Sequence, residues 1–219
     1  MRSKSWETKI IFLFVLCSSC WDPKENKTES LPYYGPHEIL QGANGVDTNY
    51  YTVPKFSFIN QDSAVVDHHT FAGKPLVVEF FFSGCQSICP VITSQLTRLQ
   101  VMMAKDGLAK EYSILTHTVD PEKDTPSVMR QYAAEIGVEH SNWQFVTGSA
   151  EDIYYQAEQG YLVPAFPSDT AQGGFFHTDQ LALIDGNYHI RGYYDGTSTK
   201  EVDSLMLDLK KLIQENKKQ

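Results

Sequence analysis

LVVEFFFSGCQSICPVITSQLTRLQVMM, residues 76–103, decides the fold. Its first seven residues, Leu76–Phe82, are apolar except for Glu79 and follow the turn-forming Gly73-Lys74-Pro75. A short continuous apolar run of that length suits a central strand covered on both faces. From Pro90 onward the pattern changes. Val91, Ile92, Gln95, Leu96, Leu99 and Met102 recur at steps of three and four, which predicts a helix over Pro90–Met103. Pro90 falls in the first turn, where its missing N–H is no loss. The junction between the two elements, Ser83-Gly84-Cys85-Gln86-Ser87-Ile88-Cys89, carries two cysteines four residues apart.

Outward from this unit the chain alternates. Phe56–Ile59 and Ser63–Val66 are expected as short strands around Asn60-Gln61-Asp62, and Tyr112–Val119 as the next long one. Thr125-Pro126 starts a helix through Ala134, with Gly137 as its stop. Trp143–Val146 is a strand, Ala150–Gln159 a helix, and Gln180–Ile184 a strand leading into an Asp185-Gly186 hairpin turn. Thr199 is expected to cap a last helix striped by Val202, Leu205, Met206, Leu209, Leu212 and Ile213. Leu31–Val53, rich in Pro, Gly, Asn and Tyr, is expected to wrap the domain as an irregular arm or hairpin. Such alternation gives an α/β layer fold: a central mixed β-sheet flanked by helices that resembles the thioredoxin arrangement.

Length and charge narrow the function. The 219 residues, 42% of them apolar, suffice for one domain. The 18 Lys+Arg against 27 Asp+Glu, a net charge of −9, argue against a nucleic-acid partner. No apolar run approaches the roughly 20 residues of a membrane-spanning helix. The first 19 residues have the layout of a secretory signal: Arg2, Lys4 and Lys9, then Ile10–Leu16, then Ser18-Ser19. They resemble a bacterial lipoprotein signal, which would make Cys20 the lipidated first residue, although Cys17 stands where Leu is usual. Cleavage there removes three cations and one anion and leaves −11. The expected organisation is a signal over 1–19, a lipid-bearing tether and arm over 20–52, and a folded domain over 53–219, exported and anchored outside the cytoplasm.

Once Cys20 carries lipid, the soluble domain keeps Cys85 and Cys89. Residues four apart share a helix face, and the positive end of a helix favours thiolate, so a depressed pKa is expected for the pair. A structural disulfide is the usual fate of paired cysteines in an exported protein. A loop this small gains little from such a staple, and the strand-to-helix turn suits chemistry, either a redox couple or two metal ligands. Two thiolates with one imidazole make a soft, low-coordinate site suited to copper, above all Cu(I). Of seven histidines, His68 and His69 are adjacent and would face opposite ways on a strand. His37 lies in the arm, His140 after a helix, His189 on the last hairpin, and His117 in a strand as a satisfied core residue. His177 stands apart, behind Gln172-Gly173-Gly174 and Phe175-Phe176 and just ahead of a strand that in thioredoxin-like folds enters opposite the cysteine helix.

These motifs together resemble the Sco/SenC copper chaperones of respiratory-oxidase assembly, over roughly residues 53–215. The resemblance rests on Cys85, Cys89 and Pro90 after an aromatic strand and on Asp120-Pro121-Glu122-Lys123-Asp124-Thr125-Pro126. Trp143-Gln144-Phe145-Val146-Thr147-Gly148 and His177 ahead of Ile184-Asp185 complete it. It implies copper ligation by Cys85, Cys89 and His177 and delivery to the dinuclear CuA centre of cytochrome c oxidase subunit II. Other periplasmic copper chaperones or thioredoxin-like reductants are further implied partners. Gln86 replaces a proline often found after the first cysteine, and Asp185-Gly186 shortens the usual turn; neither is a ligand. Asp120 is a candidate for positioning the site from outside the set of ligands, with a turn cap as the alternative.

Other residues have plainer roles. Helical spacing assigns Met102 to the core; the tyrosines 33, 34, 154, 155, 193 and 194 are expected to pack the arm and loops, and Lys210–Lys218 to be a solvated helix end. The competing function is a membrane-tethered thiol–disulfide oxidoreductase using Cys85 and Cys89 without metal, which has no evident need of His177. A peroxiredoxin-like peroxidase is weaker still, because Ser83-Gly84-Cys85 lacks the threonine-containing loop of such enzymes.

Overall fold

Strand β5 (Leu76–Phe81) is the axis of the molecule, buried along its whole length as the apolar run demands. The computed structural model describes residues 30–42, 45–138 and 142–217. The signal, Cys20, most of the tether and His140 lie outside them. Parallel to β5 runs β6 (Ser113–Thr118), and parallel to that β7 (Trp143–Thr147). Antiparallel strands finish the sheet on both sides. β10 (Gln180–Ile184) pairs with β5 and β11 (Ile190–Asp195) with β10, while β3 (Ser57–Asn60) pairs with β7 and β4 (Val65–Asp67) with β3. The order β11-β10-β5-β6-β7-β3-β4 is a mixed seven-stranded sheet.

Strand alternation sends side chains to two cores. Val77 and Phe81 face helices α1 (Cys89–Lys105), α2 (Pro126–Glu135) and α4 (Thr199–Asn216), meeting Ile92, Leu96, Leu99, Met129, Ala133, Leu205 and Leu209. Leu76, Val78, Phe80 and Phe82 face α3 (Ala150–Tyr155) and the loops, meeting Phe56, Phe58, Ile153 and Tyr161. Glu79, by its place between Val77 and Phe81, turns to the α1 side. It is buried, with one carboxylate oxygen accepting from the Thr116 hydroxyl at 2.9 Å and the other without a hydrogen-bond partner among the described residues.

Several expectations need correction. The helix expected over Ala150–Gln159 is α only to Tyr155; a π-helical turn follows over Gln156–Gly160, where Tyr161 N–H reaches the Gln156 carbonyl. The cap of α4 is Ser198, whose hydroxyl accepts from Glu201 N–H, not Thr199, which is already helical. Met102 is exposed and Met103 fills the core, one position round the helix. His68 and His69 occupy the turn after β4 rather than a strand, and the His68 ring stacks on Tyr188 at 3.6 Å. The hairpin expected of the arm is found, exposed and regular, as β1 (Glu38–Gly42) with β2 (Gly45–Asn49). The start of the arm is pinned by Arg191, whose guanidinium donates to the Leu31 and Pro32 carbonyls and to Asp185, with the Tyr33 ring 4.1 Å away.

Candidate metal centre

Only Cys89 is helical. It opens α1, with Pro90 next, while Cys85 sits in the preceding turn, its N–H donating to the Phe82 carbonyl at 3.1 Å. The expectation of one shared helix face is therefore replaced by a turn that folds Cys85 back over the helix start. No Ser, Thr, Asp or Asn side chain caps α1. The Cys85 sulfur lies there instead, 3.6 Å from the Ser87 hydroxyl, and the backbone amides of Ser87 and Cys89 favour its charged form. Free amides at a helix start are an anion site, which here favours the thiolate form of Cys85.

The two thiols consequently differ. Burial disfavours the Cys85 thiolate, but the Cys89 side chain, both amides and the Ser87 hydroxyl outweigh it and hold the thiol below the ordinary cysteine value. Cys89 is raised well above that value, first by burial, then by its hydrogen bond to Cys85 and the nearby Glu79 carboxyl. The joint depression expected from the sequence holds for one cysteine and fails for the other, since desolvation outweighs the helix dipole once the sulfur leaves water. Both cysteines are free thiols, Cys85 half-buried and Cys89 buried.

His177 arrives on a hairpin that the sequence did not disclose. β8 (Ala165–Pro167) pairs with β9 (Phe175–His177), placing Ala165 opposite His177. The connecting turn, Gln172–Gly174, has both glycines at left-handed φ, 84° for Gly173 and 86° for Gly174. A Cβ on Gly173 would lie 2.4 Å from the Phe82 ring, so glycine is needed for shape as well as conformation. Phe82 thus forms a shelf under the hairpin, with its ring also edge-on to His177 at 5.7 Å. His177 Nδ1 lies 3.3 Å from the Thr178 carbonyl, which can only accept, so the proton sits on Nδ1 and the Nε2 lone pair faces the Cys89 thiol. Nε2 is 3.7 Å from Cys89 Sγ. Burial lowers the His177 pKa against the opposing effects of Thr178 and Asp179, which favours the neutral ring.

Cys85 Sγ, Cys89 Sγ and a His177 nitrogen all lie within 4.8 Å of one another, the one such grouping of three among the described residues. Two sulfurs and a neutral imidazole nitrogen, with one sulfur partly open to water, form a soft three-donor cradle that fits a thiophilic ion such as Cu(I). Asp120 is not in that grouping. Its carboxylate pairs with Lys123 at 2.9 Å, and its carbonyl accepts from the Lys123 and Asp124 amides, which makes the turn. The buried acid that reaches the cysteine loop is Asp124, missed by sequence reasoning although it stands in the same motif. It accepts from Ser83 N–H at 3.1 Å, from the Ser83 hydroxyl, and from the Thr118 hydroxyl at 2.5 Å, tying the end of β6 to the loop two residues before Cys85. Its only cue in sequence was its place just before the capping residue Thr125.

The SCO1/SenC family model matches residues 45–214. The chain belongs to the SCO1/SenC family. Among solved Sco structures it is similar to a SCO1/SenC family lipoprotein from Bacillus anthracis, with TM-score 0.68 and 26% identity over 80% of this chain and 97% of that one. It is also similar to BsSco, a member of the Sco family of cytochrome c oxidase assembly proteins in which a disulfide switch was identified. That likeness has TM-score 0.67 and 27% identity over 75% of this chain and 94% of that one. Copper-bound ScoI of Bradyrhizobium japonicum shares the fold, with TM-score 0.61 and 22% identity over 74% of this chain and 99% of that one. The expected thioredoxin-like architecture and Sco membership are therefore both found.

Proposed function

We propose that the chain binds copper through Cys85 Sγ, Cys89 Sγ and His177 Nε2 and delivers it to the CuA site of cytochrome c oxidase subunit II. The convergence of three soft or borderline donors within 4.8 Å carries this reading. Copper here is cargo. The half-exposed Cys85, already inclined to thiolate, offers the first sulfur to an incoming ion and the first to leave it. Cys89, buried and protonated, surrenders its proton as it ligates. His177 supplies a lone pair fixed by Thr178, and Phe82 and Asp124 hold the two loops at the distance the donors need. Three protein donors leave room for a ligand of the recipient, so transfer proceeds by exchange of shared ligands.

The setting proposed for this activity is outside the cytoplasm, with Cys20 lipidated and the polar stretch 21–30 as tether. It is supported by the basic start, the apolar Ile10–Leu16 and Ser18-Ser19-Cys20. Among the described residues no helix is long and apolar enough to cross a membrane.

A second reading draws on the unlike thiols. Cys85 suits attack on a partner disulfide, forming a mixed disulfide and releasing one partner thiol. Cys89 would then attack Cys85 Sγ, releasing the second partner thiol and leaving the Cys85–Cys89 disulfide. Anaerobic titration of reduced residues 21–219 with Cu(I) and Cu(II), beside H177A, decides. One tight equivalent that weakens without His177, with sulfur-to-copper charge-transfer bands for Cu(II), supports copper delivery. Equal binding without His177, together with rapid reduction of a CuA-domain disulfide, supports the thiol reductant.

A further inference from the structure

The hairpin that presents His177 has two faces. On β9, Phe175 and His177 turn inward to Phe82 and Cys89, while Phe176 turns outward. Opposite Phe176 in the ladder is Phe166, and the two rings stack with centroids 5.0 Å apart and planes 21° apart. Both rings remain open, at 40% and 41% exposure, and neither belongs to either core. The hairpin is seated from its other side, by Phe175 and by Gly173 against Phe82, so the outer pair is not what holds His177 in place. Stacked aromatic rings left in water beside a transfer site are the usual anchors of a protein interface.

Charge gives the partner a second character. No lysine or arginine occurs between Arg130 and Arg191, whereas exposed Asp169 stands in the loop joining β8 to β9 and exposed Asp179 two residues past β9. A recipient taking copper from His177 and Cys85 has to reach this hairpin, whose outer face carries the aromatic pair and whose loop and far end carry the two aspartates.

We propose that Phe166 and Phe176 form the docking surface for the copper recipient, a protein whose accepting residues are surrounded by an apolar patch with a lysine- and arginine-rich rim. This rests on the copper-transfer reading. Hydrophobic contact with the stack fixes the encounter, and attraction of the basic rim to Asp169 and Asp179 speeds it.

The test uses the full chain loaded with one Cu(I), with the copper-free CuA domain of a cytochrome c oxidase subunit II as recipient. The double variant F166T/F176T replaces the rings with β-branched residues that favour the ladder. The expected result is a fall of at least about 10-fold in the rate of transfer to the CuA domain. Copper affinity, and the rate of copper removal by the small chelator bicinchoninate, should stay as in the unaltered chain. For the unaltered chain, transfer should also slow as salt rises from about 50 to about 500 mM. Equal protein-to-protein rates for variant and parent would overturn the docking role. An equal slowing towards bicinchoninate would overturn it too, by showing that the rings act on the site itself. A salt-independent rate would remove the basic rim. Failure of the unaltered chain to bind copper would sink the copper reading and this inference with it, a result distinct from binding without a docking effect.

Discussion

His117 and His177 are both imidazoles drawn out of water on strands and set against phenylalanines, yet only one meets sulfur. His117, on β6, is fully buried, stacked on Phe80 at 5.1 Å and edge-on to Phe58 at 4.9 Å. Its Nε2 lies 3.4 Å from the Tyr161 hydroxyl, and its Nδ1 has no hydrogen-bond partner among the described residues, so the expected satisfied core histidine is there only half satisfied. His177 stands at the sheet's end on a three-residue strand, its Nδ1 committed to a carbonyl and its Nε2 turned to Cys89. Burial lowers the pKa of both rings. A depressed histidine therefore does not mark a ligand. What marks one is a lone pair aimed at other soft donors with a route to solvent.

The largest effect should fall on this distinction. H177A should lose more than about 100-fold in Cu(I) affinity, since even outer partners of metal ligands are worth 10–100-fold. H117F should stay within about threefold of the parent, because His117 offers the site nothing. Competition against a chromophoric Cu(I) chelator measures both, and similar losses in the two variants would erase the contrast between interior and mouth.

Next in size is the pH dependence of stability, where the interior should dominate. Burial pushes His117 down to about 3, so the unfolded chain takes up a proton below about 6.5 that the folded chain refuses. Stability from this group is complete above pH 6.5 and falls on acidification by up to about 1.4 kcal/mol per pH unit until about pH 3. Glu79 has the opposite sign. Burial first, against the Thr116 hydroxyl and with the Cys85 charge, raises it to about 8, so its contribution is complete below about pH 4.5 and is lost as pH climbs towards 8. Urea midpoints between pH 4 and 9 should show H117F flattening the acid limb and E79Q the alkaline one. Parallel curves for all three proteins would show that neither group is buried in its neutral form.

How much of this was legible in sequence follows the same division. β5, α1 and β10 were readable because continuous apolar runs and 3.6-residue periodicity record burial directly. The cysteine pair was readable because it sits at the joint between them. The β8–β9 hairpin was not, since three-residue strands held by a glycine turn and a single ring beneath carry no periodic signal. His177 could be singled out by its glycines and by family resemblance, whereas its lone-pair direction depends on the Thr178 carbonyl. The unlike thiols were hidden for another reason: the dipole at a helix start can be inferred from sequence, but the depth at which Cys89 is buried cannot. Asp124 was overshadowed by Asp120, which heads the motif and pairs with Lys123.

At the mouth itself, Gly173 tests the shelf. G173A places a methyl group against Phe82 and holds alanine at left-handed φ, for an expected loss of about 1–3 kcal/mol in stability. Because the displaced strand carries His177, copper affinity should fall in parallel, by about 10-fold, while the acid and alkaline limbs keep their shape. Thermal unfolding with and without Cu(I) reads both quantities at once. A variant that is destabilised yet binds copper as the parent does would show that the hairpin reaches its position without the shelf.

The smallest effect should come from Asp124, which touches no donor and acts two residues upstream of Cys85. In D124N, one carbonyl oxygen remains to accept and an NH2 replaces the second acceptor. The Ser83 amide, Ser83 hydroxyl and Thr118 hydroxyl can no longer all be met by a charged group. Losing the charge-assisted part of this set should lower stability by about 1–2 kcal/mol. The donors themselves stay, so copper affinity should move by less than about 10-fold, the lower end for an outer partner. The informative quantity is the ratio of the two losses. If Asp124 mainly braces the end of β6 against the loop, stability falls more than affinity. If affinity falls as far as it does in H177A, the loop carrying Cys85 is set by this carboxylate rather than by the start of α1, and the geometry of the mouth originates in the interior after all.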